Sequence, residues 1–172
     1  MDLQPTNPYT IFEAWYGEAV SHEPRVPNAM QLCTVDVRGR PSCRTVLLKG
    51  FGADGLVFYT NHTSRKATQI KECPEVAVLF HWKSLERQVH VEGRVEPVSS
   101  EVSDAYFATR DRGSQLGAWA SRQSATRDTG QLEKALAEVT VRFAGGPVPR
   151  PEFWGGYRVV PARWEFWQGK PD

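Results

Sequence analysis

Apolar positions along this chain follow two periodicities, and the switches between them mark the elements. Ile11, Phe12, Trp15, Tyr16 and Ala19 recur at helical spacing, which predicts a helix with one face on a core. Asn7-Pro8 supplies its start, Asn as the cap and Pro at the first helical position, and Pro24 and Pro27 end it. Residues 29–37 read as a strand closed by the R-G-R-P turn, 43–51 as a second, and G-A-D-G turns the chain into a third at 56–60. Residues 64–73 return to helical spacing, with Ala67 and Ile70 inward, Thr63 or Ser64 as cap and Pro74 as terminator. Residues 75–82 and 88–95 are again strand-like. In the latter, Val89, Val91 and Val95 alternate with Gln88, His90, Glu92 and Arg94, the mark of a half-buried antiparallel strand.

Beyond Pro97 the pattern turns helical. Ser99 or Ser100 caps a helix through Tyr106 and Phe107, residues 110–120 form another, and 131–143 a longer one. G-G-P-V-P-R-P is a loop, and 157–160 and 163–168 read as two closing strands. Strands outnumber crossover helices, so the expected fold is mainly β with peripheral helices (α+β), its antiparallel sheet barrel-like. We expect one domain over 1–172, with an N-terminal helix at 8–22, barrel strands at 29–97 and 157–168, and a helical insert at 99–145.

Composition narrows the function classes. A chain of 172 residues, 40% apolar and 24% charged, builds a core without staples. A net charge of +1 argues against nucleic-acid binding by bulk electrostatics and leaves room for a local basic site. No apolar run approaches a membrane span, and M-D-L-Q-P-T-N-P is acidic and Pro-rich, unlike a signal peptide. A cytoplasmic protein is expected. Cys33, Cys43 and Cys73 are widely spaced with no C-x-x-C, which reads as core thiols. His22, His62, His81 and His90 lack metal-ligand spacing, so no metal is expected. Four of the six tryptophans lie after residue 118, an aromatic wall for packing, an interface or a planar ligand.

Candidate chemistry centres on residues 44–66, where Arg44, Lys49, Arg65 and Lys66 sit on or beside elements built for burial. Basic side chains there need anionic partners. Ser64-Arg65-Lys66 opens a helix, whose free N–H groups and dipole favour an anion. Arg44 offers a bidentate phosphate contact and Lys49 a point charge. The alternative is a set of solvated surface cations, the usual fate of Lys and Arg. Arg44 and Lys49 are five apart, so a regular strand points them to opposite faces; they serve two anions, or the strand is bulged. Tyr106, Arg110 and Ser114 would share one face of a continuous helix and form a second phosphate cradle, or simply an exposed helix face.

The stretches R-T-V-L-L-K, F-Y-T-N, S-R-K-A, L-E-R-Q-V, Y-F-A-T-R-x-R-x-S-Q-x-G-A-W-A-S-x-Q-S, F-W-G-G-Y-R-V and E-F-W-Q-G occur in one order from about Asn7 to Gly169. Together they resemble the pyridoxamine/pyridoxine 5′-phosphate oxidase family. The resemblance implies a split β-barrel homodimer with FMN in clefts at the subunit interface. It implies that Arg44 and Lys66 hold the FMN phosphate with Arg65, Tyr59, Thr60 and Ser124 nearby, and that Thr45, Val46 and Leu47 line the flavin. Gln88 and Gln123 would bond polar flavin atoms, and Trp167 would complete the pocket. Lys49, Tyr106, Arg110 and Ser114 match the family's clamp on the substrate phosphate, so Arg44 and Lys49 would serve two phosphates. The implied reaction oxidises C4′ of pyridoxine or pyridoxamine 5′-phosphate, with hydride passing to the flavin and O2 becoming H2O2. No side chain is assigned a catalytic role.

The family pattern continues past E-F-W-Q-G into an R-x-H-x-R segment and begins with a basic segment; neither is in this sequence. A nearly complete FMN site with no substrate lid is therefore expected. Three expectations follow: a sequence trimmed relative to the natural chain, a related oxidase of the phenazine-pathway type, or a protein that binds FMN or pyridoxal phosphate with little turnover. The Tyr-Arg-Ser set favours a phosphorylated substrate.

Overall fold

The structure, a computed structural model, describes residues 7–121, 123–124 and 130–169. The N-terminal segment read above as no signal peptide and the final Pro171-Asp172 lie outside them. Helix α1 (Pro8–His22) begins at Asn7, whose side chain accepts from the Tyr9 N–H at 3.0 Å. It lays Phe12 and Ala19 on the core, and the Phe12 ring meets Phe51, Phe80, Trp82 and Trp164 at centroid distances of 5.1–6.1 Å.

Seven strands follow among the described residues: β1 (Ala29–Val35), β2 (Pro41–Leu47), β3 (Gly50–Gly52), β4 (Gly55–Asn61), β5 (Glu75–Trp82), β6 (Arg87–Pro97) and β7 (Trp154–Gln168). They form one sheet in the order β2-β1-β5-β6-β7-β4-β3, every neighbouring pair antiparallel. Strand β1 stops at Val35, short of the expected 37, because Asp36 starts the turn. Its carboxylate accepts from the Arg38 and Arg40 N–H groups, both at 2.9 Å, and Gly39 takes φ +74°.

The strand expected over 43–51 is interrupted. Past Leu47 the Leu48 N–H bonds the Asn28 carbonyl and the Lys49 N–H bonds the Val57 carbonyl, each at 2.8 Å. The chain thus leaves one sheet edge and joins the other within two residues, and the sheet curls toward closure at this corner. The two expected closing strands are one strand, β7, kinked rather than broken. Ala162 is extra between the rungs Glu92↔Arg163 and Gly93↔Pro161, a bulge placed where Pro161 has no N–H to give the ladder.

Helix α2 (Arg65–Glu72) packs beside β1. Helices α3 (Ser100–Thr109), α4 (Arg112–Ala120) and α5 (Gln131–Arg142) come between β6 and β7. Two buried clusters result: the barrel core around Phe12, Phe58, Phe80 and Trp82, and a smaller one of Phe107, Leu116, Val148 and Trp154 under α3 and α4. A cleft opens beside the second.

Candidate functional site

A cleft of about 790 Å³ is lined by the end of β2, by β4, by the start of α2 and by the α3–α4 junction. Its size suits a cofactor-sized ligand. Arg44, Thr45, Val46, Leu47, Lys49, Tyr59, Thr60, Lys66, Gln123 and Ser124 all line it, as do Tyr106, Arg110 and Ser114. Fourteen of the sixteen residues singled out from the sequence concern this region; Arg65 stands at its rim and only Gln88 and Trp167 lie elsewhere.

One end is built on α2. Ser64 is fully buried and caps the helix, its Oγ accepting from the Ala67 N–H at 3.4 Å. The Arg65 N–H donates to Ser124 Oγ at 3.1 Å, while the Arg65 side chain is exposed. Lys66 Nζ reaches Gln123 Oε1 at 3.0 Å, Thr60 Oγ1 at 3.2 Å and Ser64 Oγ at 3.3 Å. Arg44 shares the core-side face of β2 with Val46 and Leu48. Its Nη1 donates to the Leu32 carbonyl at 2.9 Å and Thr34 Oγ1 at 2.7 Å, and its Nη2 to Gln69 Oε1 at 3.3 Å. Every one of these partners is neutral. Burial holds the Lys66 ammonium below its ordinary range, with the Arg44 charge adding to the effect, and burial likewise lowers Arg44. Among the described residues, two cations crowd together here without a carboxylate.

The other end departs from the expected continuous helix. Helix α3 ends at Thr109, Arg110 is extended at φ −71°, ψ 147°, and Asp111 caps α4 by accepting from the Ser114 N–H at 2.8 Å. A capping carboxylate in the middle of the run starts a new helix, so Tyr106, Arg110 and Ser114 meet across a junction rather than along one face. The Arg110 guanidinium lies over the Trp154 ring at 4.7 Å and the Phe107 ring at 5.5 Å. Its Nη1 is buried and has no hydrogen-bond partner among the described residues. Burial lowers the Arg110 pKa from its usual value. Beside it Tyr59, Tyr106 and Trp154 form a cluster of near-parallel rings, Tyr59 lying 4.0 Å from Tyr106 and 5.3 Å from Trp154 and the latter two 6.2 Å apart, and burial raises the Tyr59 phenol.

The parity question at Arg44 and Lys49 resolves without a bulge. Arg44 is half-buried on the core side, and Lys49, exposed, stands on the Thr45–Leu47 side at the corner where the chain changes edges. Both reach the one cleft because β2 ends there. Among the described residues no carboxylate lies within ion-pair distance of Arg44, Lys49, Arg65, Lys66 or Arg110. A buried guanidinium nitrogen with no partner and an ammonium held only by neutral oxygens are what a bound dianion would complete.

Gln88 and Trp167 face each other as a β6–β7 rung outside the cleft, and Trp167 is 54% exposed. Conversely, Thr109, Asp111 and Trp154 line the cleft and were not singled out from the sequence. Trp154 stood within the F-W-G-G-Y stretch and among the late tryptophans; the buried Thr34 and Gln69 that hold Arg44 carried no such signal. Among the described residues no His, Cys, Asp and Glu cluster could hold a metal, and no helix is long and apolar enough to cross a membrane.

Known proteins share both the sequence and the shape. The profile of the family described as pyridoxamine 5′-phosphate oxidase matches residues 17–143, and that of the pyridoxine 5′-phosphate oxidase C-terminal dimerisation region matches 154–172. A pyridoxine/pyridoxamine 5′-phosphate oxidase of Rubrobacter xylanophilus is 58% identical over 165 residues, covering 95% of this chain and 76% of that protein. One of Bordetella petrii is 50% identical over 170 residues, covering 99% and 80%. Among solved structures, PhzG of Burkholderia lata 383, crystallised with tetrahydrophenazine-1-carboxylic acid, superposes with a TM-score of 0.90 at 29% identity, covering 97% of this chain and 82% of that one.

Proposed function

Since the chain belongs to the pyridoxamine 5′-phosphate oxidase family, we propose that it oxidises pyridoxine and pyridoxamine 5′-phosphate to pyridoxal 5′-phosphate with FMN as cofactor. The observation that carries this reading is the pair of cation sets along one cleft, Arg44 with Lys66 and Arg110 with Lys49, none with a carboxylate partner among the described residues. A cofactor phosphate and a substrate phosphate satisfy both.

The residues present fit FMN. Arg44 and Lys66 hold its phosphate at the positive end of α2, with Arg65, Tyr59, Thr60 and Ser124 around them. Thr45, Val46 and Leu47 line the ring system, and Gln123 offers its amide. When bound, FMN supplies the two-electron chemistry, taking hydride from the substrate and reducing O2 to H2O2. The protein contributes position and electrostatics. Lys49, Tyr106, Arg110 and Ser114 take the substrate phosphate, and the binding energy of that remote group orients the reacting carbon. Arg110 arrives pre-aimed, since the Trp154 face fixes its guanidinium.

Gln88 and Trp167 enter the site from a second copy. The support is their position outside the cleft of their own chain, the exposure of Trp167, and the match of residues 154–172 to a dimerisation region. The second reading, a phenazine-type substrate, rests on the likeness to PhzG. An Arg with a buried, unpartnered nitrogen beside a Tyr and a Ser argues for phosphate.

The test is peroxide release in air with pyridoxine 5′-phosphate, paired with Arg110→Ala. That variant is expected to weaken pyridoxine 5′-phosphate binding by roughly 10- to 150-fold, the worth of a charge-assisted bond, with FMN affinity nearly unchanged. Equal losses for both ligands, or a wild-type protein that turns over a phenazine precursor and ignores the phosphate ester, would refute it.

A further inference from the structure

Cys33 and Cys43 oppose each other in the β1–β2 ladder. The kind of rung follows from the turn. The Asp36 N–H bonds the Arg40 carbonyl at 3.1 Å, so 36/40 is a hydrogen-bonded rung, and rungs alternate along an antiparallel pair. Counting back, 34/42 is bonded and 33/43 is not. In non-bonded rungs the Cα atoms approach to about 4.5 Å, within the window that disulfides span. The thiols already meet, the Cys33 S–H pointing to Cys43 Sγ at 3.3 Å. Strand β2 is a sheet edge, Cys43 is exposed and Cys33 half-buried.

We propose that Cys33 and Cys43 form an oxidisable dithiol that closes reversibly to a disulfide across the β1–β2 hairpin, with hydrogen peroxide as oxidant. The exposed Cys43 sulfur attacks the peroxide O–O bond, becoming a sulfenic acid as one oxygen leaves as water. Cys33 sulfur then displaces the second oxygen, which takes the Cys33 proton and leaves as water. Two thiols are oxidised by one peroxide, giving one S–S bond and two waters. The order follows from environment: beside an ionised Cys43, burial first, then the Cys43 contact, push the Cys33 thiol up to about 11, so Cys43 attacks first; Cys33 resolves once Cys43 is a neutral sulfenic acid, its proton passing to the leaving oxygen. The adjacent rung pairs Leu32 with Arg44, and the Leu32 carbonyl accepts from Arg44 Nη1 at 2.9 Å. A disulfide at 33/43 therefore pins the rung on which the cleft guanidinium is seated.

The proposed oxidase reaction would release such an oxidant beside this hairpin; that link alone rests on the functional reading. Reagent hydrogen peroxide separates the two. Protein as purified is exposed to it, remaining thiols are blocked with a maleimide, and peptides are mapped by mass. Of three cysteines per chain, Cys73 alone is expected to remain free, with a Cys33–Cys43 peptide that dithiothreitol dissolves and a higher thermal midpoint while oxidised. Cys43→Ser is expected to leave Cys33 free, and Cys73→Ser to change nothing. Three thiols persisting at peroxide levels that oxidise glutathione would overturn the proposal. So would Cys43 driven to sulfinic acid beside a free Cys33, or a link formed between chains.

Discussion

Replacing Lys66 by Met separates binding from folding. The change keeps most of the side-chain volume and removes the ammonium. Among the described residues that ammonium has only Thr60, Ser64 and Gln123 oxygens for partners. Those oxygens do not become orphans without it, because Thr60 Oγ1 still donates to Gln123 Oε1 at 3.0 Å and Ser64 Oγ still caps the Ala67 N–H. Burial and the Arg44 charge both hold the Lys66 pKa below its ordinary 10.5. A base with a lowered folded pKa opposes folding while it is charged. The penalty is complete below the folded value and fades as pH climbs toward the unfolded one.

The Lys66→Met apoprotein should therefore melt no lower than wild type near neutrality, with any advantage shrinking as pH rises toward 10.5. FMN affinity should fall, since a hydrogen bond to a charged group is worth about 1.5–3 kcal/mol, or roughly 10- to 150-fold in Kd. Flavin-fluorescence quenching gives the Kd, and apoprotein melts across pH give the stability. An unchanged FMN Kd would refute the assignment of Lys66 to the phosphate. A weakened Kd accompanied by a lower apoprotein midpoint would make Lys66 structural instead.

Gly93→Ala probes the bulge in β6–β7. Its Cβ would run into the Val160 carbonyl oxygen and lie 2.9 Å from Pro161 Cα, both backbone, so a loss of about 3 kcal/mol or more is expected in urea unfolding; Gly17→Ala, with nothing within 4 Å, is the control and should cost nothing. Trp167→Ala removes a side chain that is 54% exposed, so it should leave the unfolding midpoint of the single chain nearly unchanged while weakening FMN binding. An unchanged FMN titration would remove Trp167 from the site.

Local chemistry made much of the fold legible. Asn7-Pro8 starts α1, Ser64 and Ser99 cap α2 and α3, and Glu75–Trp82 is strand β5 as read, because caps and turn residues act on their own neighbours. The misses share one cause. The interruption after Leu47, the fusion of the last strands into β7 and the break at Arg110 each depend on what a distant or intervening group does to the backbone. Asp111 was visible as a residue, but its choice of the Ser114 N–H over solvent was not.

The alternating apolar strands, the capped helices, the cations clustered between residues 44 and 66 and the motifs of the oxidase family are all readable along the chain. Side-chain chemistry at short range sets all of these. Which cations share a cleft is settled by folding instead. Arg44 and Lys49 reach it from opposite strand faces because the chain changes sheet edges at Leu48–Lys49. Arg110 joins them because Trp154, 44 residues later in sequence, lies under its guanidinium. Periodicity assigns a residue to a face, but the curl of the sheet decides which faces meet, and that curl is set by backbone pairing between segments far apart in the chain.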